Sequence, residues 1–350
     1  MQTQTLIGTM SGTSLDGLDI CAAEFNHRTY TIIEATTIQY PEKLSKQLRT
    51  AHLLQGHDLA QLSVDFGIFC GKEIKKFIET HSIKAEYVAS HGHTIFHAPQ
   101  QGLTLQIGSG AHIAKESGLH TIYNIRNLDV AYGGQGAPLV PVGDEFLFSQ
   151  YDYCLNIGGF ANISTRQNNT RIAWDICGAN ILLNHFSKKR NTNFDTNGTL
   201  GKKGTIQNDL LTRLNNLSYF AKPHPKSLGR EWIEECVLPI IYTYDYSIED
   251  ILRTLYEHIA IQIGLSLSKP HTQTLCTGGG THNTFLTDLI KKYSASIIIH
   301  PSNTLIDYKE ALIFAYLGYL RIINTNNCFA SVTGAQQDVC GGELIYNNIR

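Results

Sequence analysis

The sequence predicts a two-domain α/β protein, two like halves facing a cleft, and three observations carry that expectation. The chain has 350 residues, long for one hydrophobic core. The order strand, glycine loop, strand, strand, helix occurs twice, about 145 residues apart. A Gly/Pro-rich stretch, A-Y-G-G-Q-G-A-P-L-V-P at 131–141, separates the two runs and marks a boundary. Residues 1–130 plus a C-terminal segment of about 307–350 are expected to form the first domain, and 131–306 the second.

Each element follows from local pattern. Residues 5–25 read as two strands around a turn, and 29–39 as a third strand rich in β-branched residues. Helical patterning runs from Pro41 to about Gln55. A second helix runs from His57 to about Ile83, with Leu59, Leu62, Phe66, Phe69, Ile74 and Ile78 at helical spacing. Y-V-A-S-H-G-H-T-I-F-H is a strand, followed by a helix at 110–117 and a strand at 119–125. In the second half, Y-C-L-N-I-G-G-F-A-N-I-S-T (153–165) is strand, glycine loop, strand, and R-I-A-W-D-I is the next strand. Helices are expected from Ala179, from Pro225 to Leu238, and from Ser247, a good N-cap, to about Ser268. Q-T-L-C-T-G-G-G-T-H-N is a strand running into a glycine loop. A last helix, from Asp307 to about Ile323, is expected to pack back on the first domain.

Composition excludes several classes. With 28 Lys+Arg against 30 Asp+Glu, the net charge of −2 offers no field for nucleic acid or anionic membrane. The runs Lys188-Lys189-Arg190 and Lys202-Lys203 read as solvated loop charges. Eight cysteines without a C-x-x-C pair suit reduced thiols in the cytosol better than a disulfide framework. Met-Gln-Thr-Gln-Thr lacks the regions of a signal peptide, and the apolar run Ala311 to Leu320 is too short to span a bilayer. A cytoplasmic protein is expected.

The chemistry-bearing signal begins at G-T-M-S-G-T-S-L-D-G-L-D, from Gly8. Neither a Walker loop nor a Rossmann G-x-G-x-x-G follows the first strand, and the loop returns into a strand rather than a helix. A hairpin of Gly, Ser and Thr can still bind an anion through backbone N–H groups and hydroxyls, with Gly8, Gly12 and Gly17 admitting close approach. Asp16 beside a phosphate makes sense with Mg²⁺ between them. The alternative is an ordinary Asp-Gly hairpin turn, and this loop alone does not decide. Two further loops, Gly158-Gly159 with Asn162 and Gly278-Gly279-Gly280 with Asn283, favour a nucleotide.

The opening string, together with S-H-G-H-T, T-L-Q-I-G, G-G-Q-G-A-P-L-V-P, N-I-G-G-F-A-N-I, P-K-S-L-G-R-E, G-G-G-T-H-N, K-E-A-L-I-F-A-Y-L and V-T-G-A, covers essentially the whole chain. In combination these strings closely resemble the anhydro-N-acetylmuramic acid kinases of peptidoglycan recycling, within the actin/hexokinase ATPase superfamily. The resemblance implies a two-domain actin-like (ribonuclease H-like) fold, ATP and Mg²⁺ as cofactors, and a small anhydrosugar substrate. It places ATP at Gly12, Thr13, Ser14, Leu15, Asp16, Gly17, Leu18 and Asp19 in the first loop, with Asp16 meeting Mg²⁺ through water. The other ATP contacts it implies are Gly158, Gly159, Asn162, Gly278, Gly279, Gly280 and Asn283. In the implied reaction water attacks C1 of the 1,6-anhydro sugar, and O6 takes the γ-phosphoryl group. Asp175, in W-D-I-C-G-A-N, is the implied base; the alternative is a strand-end aspartate capping the helix near Ala179.

Substrate contacts are implied at His91, His93, Arg126, Asp129 and Glu310. Arg126 has the alternative of a domain-interface salt bridge, and Asp129, beside the hinge, that of a structural role. Glu310, read as lying in the first turn of the last helix, also suits the helix dipole. Lys226 and Arg230 either anchor phosphate or brace a helix start. His91, His93 and His97 invite a metal reading because positions i and i+2 of a strand share a face, but no third ligand stands at zinc spacing. Five positions depart from the family pattern: His93 for Gln, Asn124 for Asp, and Ile176, Cys177 and Gly178 for Thr, Gly and Pro. Two alternatives stay open on that account, a kinase of another anhydrosugar and an ATP-binding sensor. A homodimer is implied by family analogy only.

Overall fold

The computed structural model describes residues 3–12 and 15–347. The chain divides into two compact units: one runs to Leu147 and resumes at Tyr308, and the other is Phe148–Asp307. The Gly/Pro-rich stretch 131–141 lies inside the first unit.

Each unit is built on its own sheet, and the two sheets repeat one strand order. In the first, β1 (Gln4–Ser11), β2 (Leu18–Asn26) and β3 (Thr29–Ile38) form an antiparallel meander. β4 (Tyr87–Ala98) then adds parallel to β1, its return strand β5 (Leu103–Ile107) pairs with it, and β6 (His120–Tyr123) adds parallel to β4. In the second unit, β7 (Tyr153–Ile157), β8 (Phe160–Gln167) and β9 (Thr170–Gly178) repeat the meander. There β10 (Gln273–Thr277) and β11 (Ile297–Ile299) repeat the parallel additions. The orders β3-β2-β1-β4-β6 and β9-β8-β7-β10-β11 therefore correspond strand for strand, and β12 (Glu343–Ile345) extends the first sheet beyond β6.

In the first unit, helix Gly56–Thr80 lays Leu62, Phe66, Cys70, Ile74 and Phe77 against Ile7, Ile20 and Val88. Helix Asn303–Ile322 covers the other face, where a Cβ on Gly8 would stand 2.0 Å from the Ala311 carbonyl oxygen and one on Gly318 2.5 Å from Ala89 Cβ. This helix begins a turn before the expected Asp307, so Glu310 is in its interior and the first-turn dipole reading of Glu310 fails. Helix Val140–Phe146 docks on it through Gly143 against Ile313 and through the buried Lys309–Asp144 ion pair at 2.7 Å.

In the second unit, Ser247 caps helix Ile248–Ser266 by accepting from the Asp250 N–H at 3.1 Å. The segment expected as one helix from Pro225 is instead irregular up to Gly229. A short turn at Arg230–Trp232, a π-helical Ile233–Val237 and a turn at Leu238–Ile241 follow. All eight cysteines are free thiols. No described helix is long and apolar enough to cross a membrane.

Candidate functional site

In the second unit the topology gathers the sequence-derived residues at one end of the sheet. β7, β9 and β10 point the same way, so the loop Gly158-Gly159, the end of β9 and the loop after β10 emerge together. Gly158 and Gly159 accept from Asn180 and Ala179, which ties the first loop to the start of helix Asn180–Ser187. Gly280 packs on Ile157, where a Cβ would stand 2.3 Å from Cγ2, so its lack of a side chain serves packing. A Cβ on Gly279 would meet no atom within 4 Å, which leaves open backbone of the kind that admits a phosphate. Asn162 sits on β8 opposite Asn156, beside the same loop. Asn283 is placed differently from the expected ATP contact. Its Oδ1 caps helix Thr284–Tyr293 through the Leu286 N–H, and its Nδ2 donates to Tyr256 Oη at 2.8 Å.

Asp175 lies within β9 at a bulge, where Ile176 has no partner between Asn162 and Ala161. Its Oδ2 accepts from the Leu228 N–H at 2.8 Å, and its backbone N–H donates to the Lys226 carbonyl at 3.0 Å. Tyr219 Oη donates to the Asp175 carbonyl at 2.7 Å. Oδ1 takes no hydrogen bond among the described residues. Burial pushes the carboxyl up from the ordinary aspartate range, opposed by the Leu228 N–H. The capping alternative fails, because the N-cap of the next helix is Ala179 and no side chain caps it. The P-K-S-L-G-R-E string thus orients this carboxylate. Lys226 donates to the Tyr219 and Phe220 carbonyls, and Arg230 pairs with Glu234 on the exposed surface.

In the first unit β1, β4 and β6 also run parallel; Gly12 follows the end of β1, Arg126 follows β6, and His91 and His93 lie within β4, with His93 level with Ser11 at the end of β1. Thr13 and Ser14 lie outside the described residues. Gly12 accepts from the Leu15 N–H, Asp16 is exposed, and Gly17 and Leu18 are buried. Asp19, on β2, accepts from Thr37 Oγ1 at 2.6 Å. No group of three or more His, Cys, Asp or Glu side chains converges to hold a metal among the described residues.

His91 and His93 do not share a face. Gly92 takes φ +75° and the β1–β4 register shifts beside it, so the usual alternation breaks. His91 meets Phe314 of helix Asn303–Ile322, whereas His93 meets Phe66 of helix Gly56–Thr80, which removes the premise of a shared metal. His91 Nδ1–H donates to the Gly92 carbonyl at 2.9 Å, leaving Nε2 to accept from Arg126 Nη2 at 2.8 Å. Burial first, and then the Arg126 charge, hold this imidazole well below the usual histidine range. Arg126 also donates to the Gly136 carbonyl, so its partners are a histidine and a backbone oxygen. Glu310 is half-buried; burial raises its carboxyl, Lys309 and Arg126 lower it, and Asp19 raises it. Asp129 departs from the substrate-binding expectation. It is fully buried, with Oδ2 accepting from the Gly136 N–H and Oδ1 from Thr333 Oγ1, both at 2.7 Å. It holds the G-G-Q-G turn.

Two partners escaped sequence reasoning. Tyr40 Oη donates to Ser11 Oγ at 2.7 Å, and Ser11 Oγ lies 2.8 Å from His93 Nδ1. Burial lowers His93 to about 4, so it is a neutral polar group at pH 7. Tyr219 is the other, and only its place near P-K-S-L-G-R-E could have signalled it.

A family model described as anhydro-N-acetylmuramic acid kinase matches residues 4–347. A Sulfurovum sp. protein named anhydro-N-acetylmuramic acid kinase is 33% identical over 99% of this chain and 100% of its own length. One of the same name from Idiomarina loihiensis is 34% identical over 98% of this chain and 99% of its own. Among solved structures, a ROK family glucokinase from Streptomyces griseus is 12% identical, covering 89% of this chain and 98% of its own, with a TM-score of 0.41.

Proposed function

The chain belongs to the anhydro-N-acetylmuramic acid kinase family, and on that premise we propose that it hydrolytically opens 1,6-anhydro-N-acetylmuramic acid and phosphorylates O6. It is a phosphotransferase with the two-domain actin-like ATPase fold, and its product is N-acetylmuramic acid 6-phosphate. ATP, when bound, supplies the γ-phosphoryl group and Mg²⁺ offsets its charge. Open backbone at Gly279 and the uncrowded Gly158 and Gly159 fit that group. Asp16, exposed in its loop, is the residue to meet Mg²⁺ through water.

The observation that carries the mechanism is Asp175. One carboxylate oxygen is fixed by the Leu228 N–H and the other takes no hydrogen bond among the described residues, while burial raises its affinity for a proton. Such a group can take the proton of a water as the water oxygen bonds to C1 and the C1–O6 bond breaks. O6 is thereby the oxygen available to the phosphoryl group. Arg126, held against neutral His91, is the group to meet the substrate's lactyl carboxylate, with His93 and Glu310 as further sugar contacts. The family resemblance also supports a cytoplasmic homodimer.

The test is ADP release with anhydro-N-acetylmuramic acid, with other anhydrosugars, and with none. Turnover is expected with the first alone. In Asp175→Asn it should fall by about 10²-fold or more with ATP affinity retained. Unchanged turnover in that variant sinks the base assignment.

A further inference from the structure

A cavity of about 380 Å³ opens in the unit Phe148–Asp307, over β8 and β9 toward their connecting turn and away from the glycine loops. Arg166, Lys222, His224, Lys226 and Lys269 line it, and no carboxylate of the described residues does. Trp174 forms part of its wall, stacked on His224 at 4.5 Å between ring centroids and 18° between planes. The volume falls in the range of small-molecule sites, about 300–1,000 Å³.

Lys222, Lys226 and Lys269 form no ion pair with an acid among the described residues, and Lys222 bears on Lys226 with a like charge. Lys226 Nζ is held by the neutral carbonyl oxygens of Tyr219 and Phe220, at 3.2 and 3.3 Å, and by the Tyr219 ring. Its affinity for a proton is lowered by burial and by the like charge of Lys222. A phosphate or carboxylate at this place relieves that repulsion and meets N–H donors, while an indole face suits a ring. The same segment reaches the proposed base. The Lys226 carbonyl accepts from the Asp175 N–H, and the Leu228 N–H donates to Asp175 Oδ2. An anion drawn to Lys226 therefore acts two residues from the bond that orients the carboxylate.

We infer that this cavity binds a small single-ring organic phosphate or carboxylate and that its occupancy acts on Asp175 through residues 226–228. Binding is independent of the catalytic reading; the coupling rests on it. The chain has two tryptophans, so Trp232→Phe leaves Trp174 as the only indole emitter. Glucose 6-phosphate, inorganic phosphate and glucose are titrated into this protein without ATP or anhydrosugar. The expected result is a saturable change in Trp174 emission with glucose 6-phosphate, at least tenfold tighter than with inorganic phosphate and absent with glucose. Lys222→Glu with Lys269→Glu should weaken it at least tenfold, with Lys222→Gln and Lys269→Gln used if the charge reversals lower the thermal midpoint. In turnover assays glucose 6-phosphate should change kcat at least twofold in the wild type and leave the double variant unaffected. No saturable change, or equal binding by the variant, overturns the site. Equal affinity for inorganic phosphate overturns the ring assignment. Binding without a change in kcat overturns the coupling while leaving the base assignment to its own test.

Discussion

Asn124 shows how a single departure from the family pattern is accommodated locally. It takes φ +53°, a region that asparagine tolerates better than most residues. Its Nδ2 donates to Glu343 Oε1 at 2.9 Å, and Tyr123 Oη donates to the other Glu343 oxygen at 2.7 Å. An aspartate here would set carboxylate against carboxylate and remove a donor. Asn124→Asp is expected to cost about 1–2 kcal/mol, seen as a lower thermal midpoint, with kcat little changed. Adding Glu343→Gln should restore most of it. A loss of kcat with stability intact would show that this residue acts in the site instead. The departures after Asp175 also serve packing: Ile176 and Cys177 are buried in the core, and a Cβ on Gly178 would stand 2.6 Å from Ile233 Cδ1.

At the scale of elements, the glycines sort into those that pack and those that open a loop. Gly8, which the sequence groups with Gly12 and Gly17, faces the backbone of helix Asn303–Ile322. Backbone atoms cannot swing aside as a side chain can, so Gly8→Ala is expected to destabilise by about 3 kcal/mol or more. Gly279→Ala, at open backbone, should leave the thermal midpoint unchanged and raise the KM for ATP. Equal midpoints for both variants would refute the distinction. This sorting marks the limit of the sequence. Strand periodicity and glycine loops make the repeated sheet legible, because a strand's alternation and a turn's small residues are local properties. Asp175 was legible as a residue but not as a geometry, since its orienting N–H comes from Leu228, remote in the chain. His91 and His93 misled because alternation assumes an unbroken strand, and Gly92 breaks it. Asn283 looked like a ligand because a polar residue after a glycine run does, yet its oxygen caps a helix. Asp129, implied as a substrate contact by resemblance alone, has its oxygens in a buried turn, the structural role left open beside the hinge.

Over the whole molecule, buried neutral histidines set the response to acid. His91 and His93 lie in the first unit and His258 in the second, each under a tenth exposed. His258 donates from Nδ1 to Asn215 Oδ1 at 2.7 Å, and burial lowers it to about 3. His93 is lowered to about 4, and His91 well below the ordinary value. Because the folded pKa values are depressed, the unfolded chain takes up these protons first, and stability falls as pH drops below about 6.5. Asp175 and Glu310 work the other way. Their raised carboxyls add stability when protonated, and that contribution is lost as pH rises through the folded values. Each histidine contributes about 1.4 kcal/mol of destabilisation by pH 5.5, so the three together approach about 4 kcal/mol before any carboxylate offset. Urea unfolding at pH 7.5 and 5.5 should show this loss, and His93→Gln should remove about a third of it. If the wild-type difference is near zero, or if the variant shows the full difference, the histidines are not the groups that govern it.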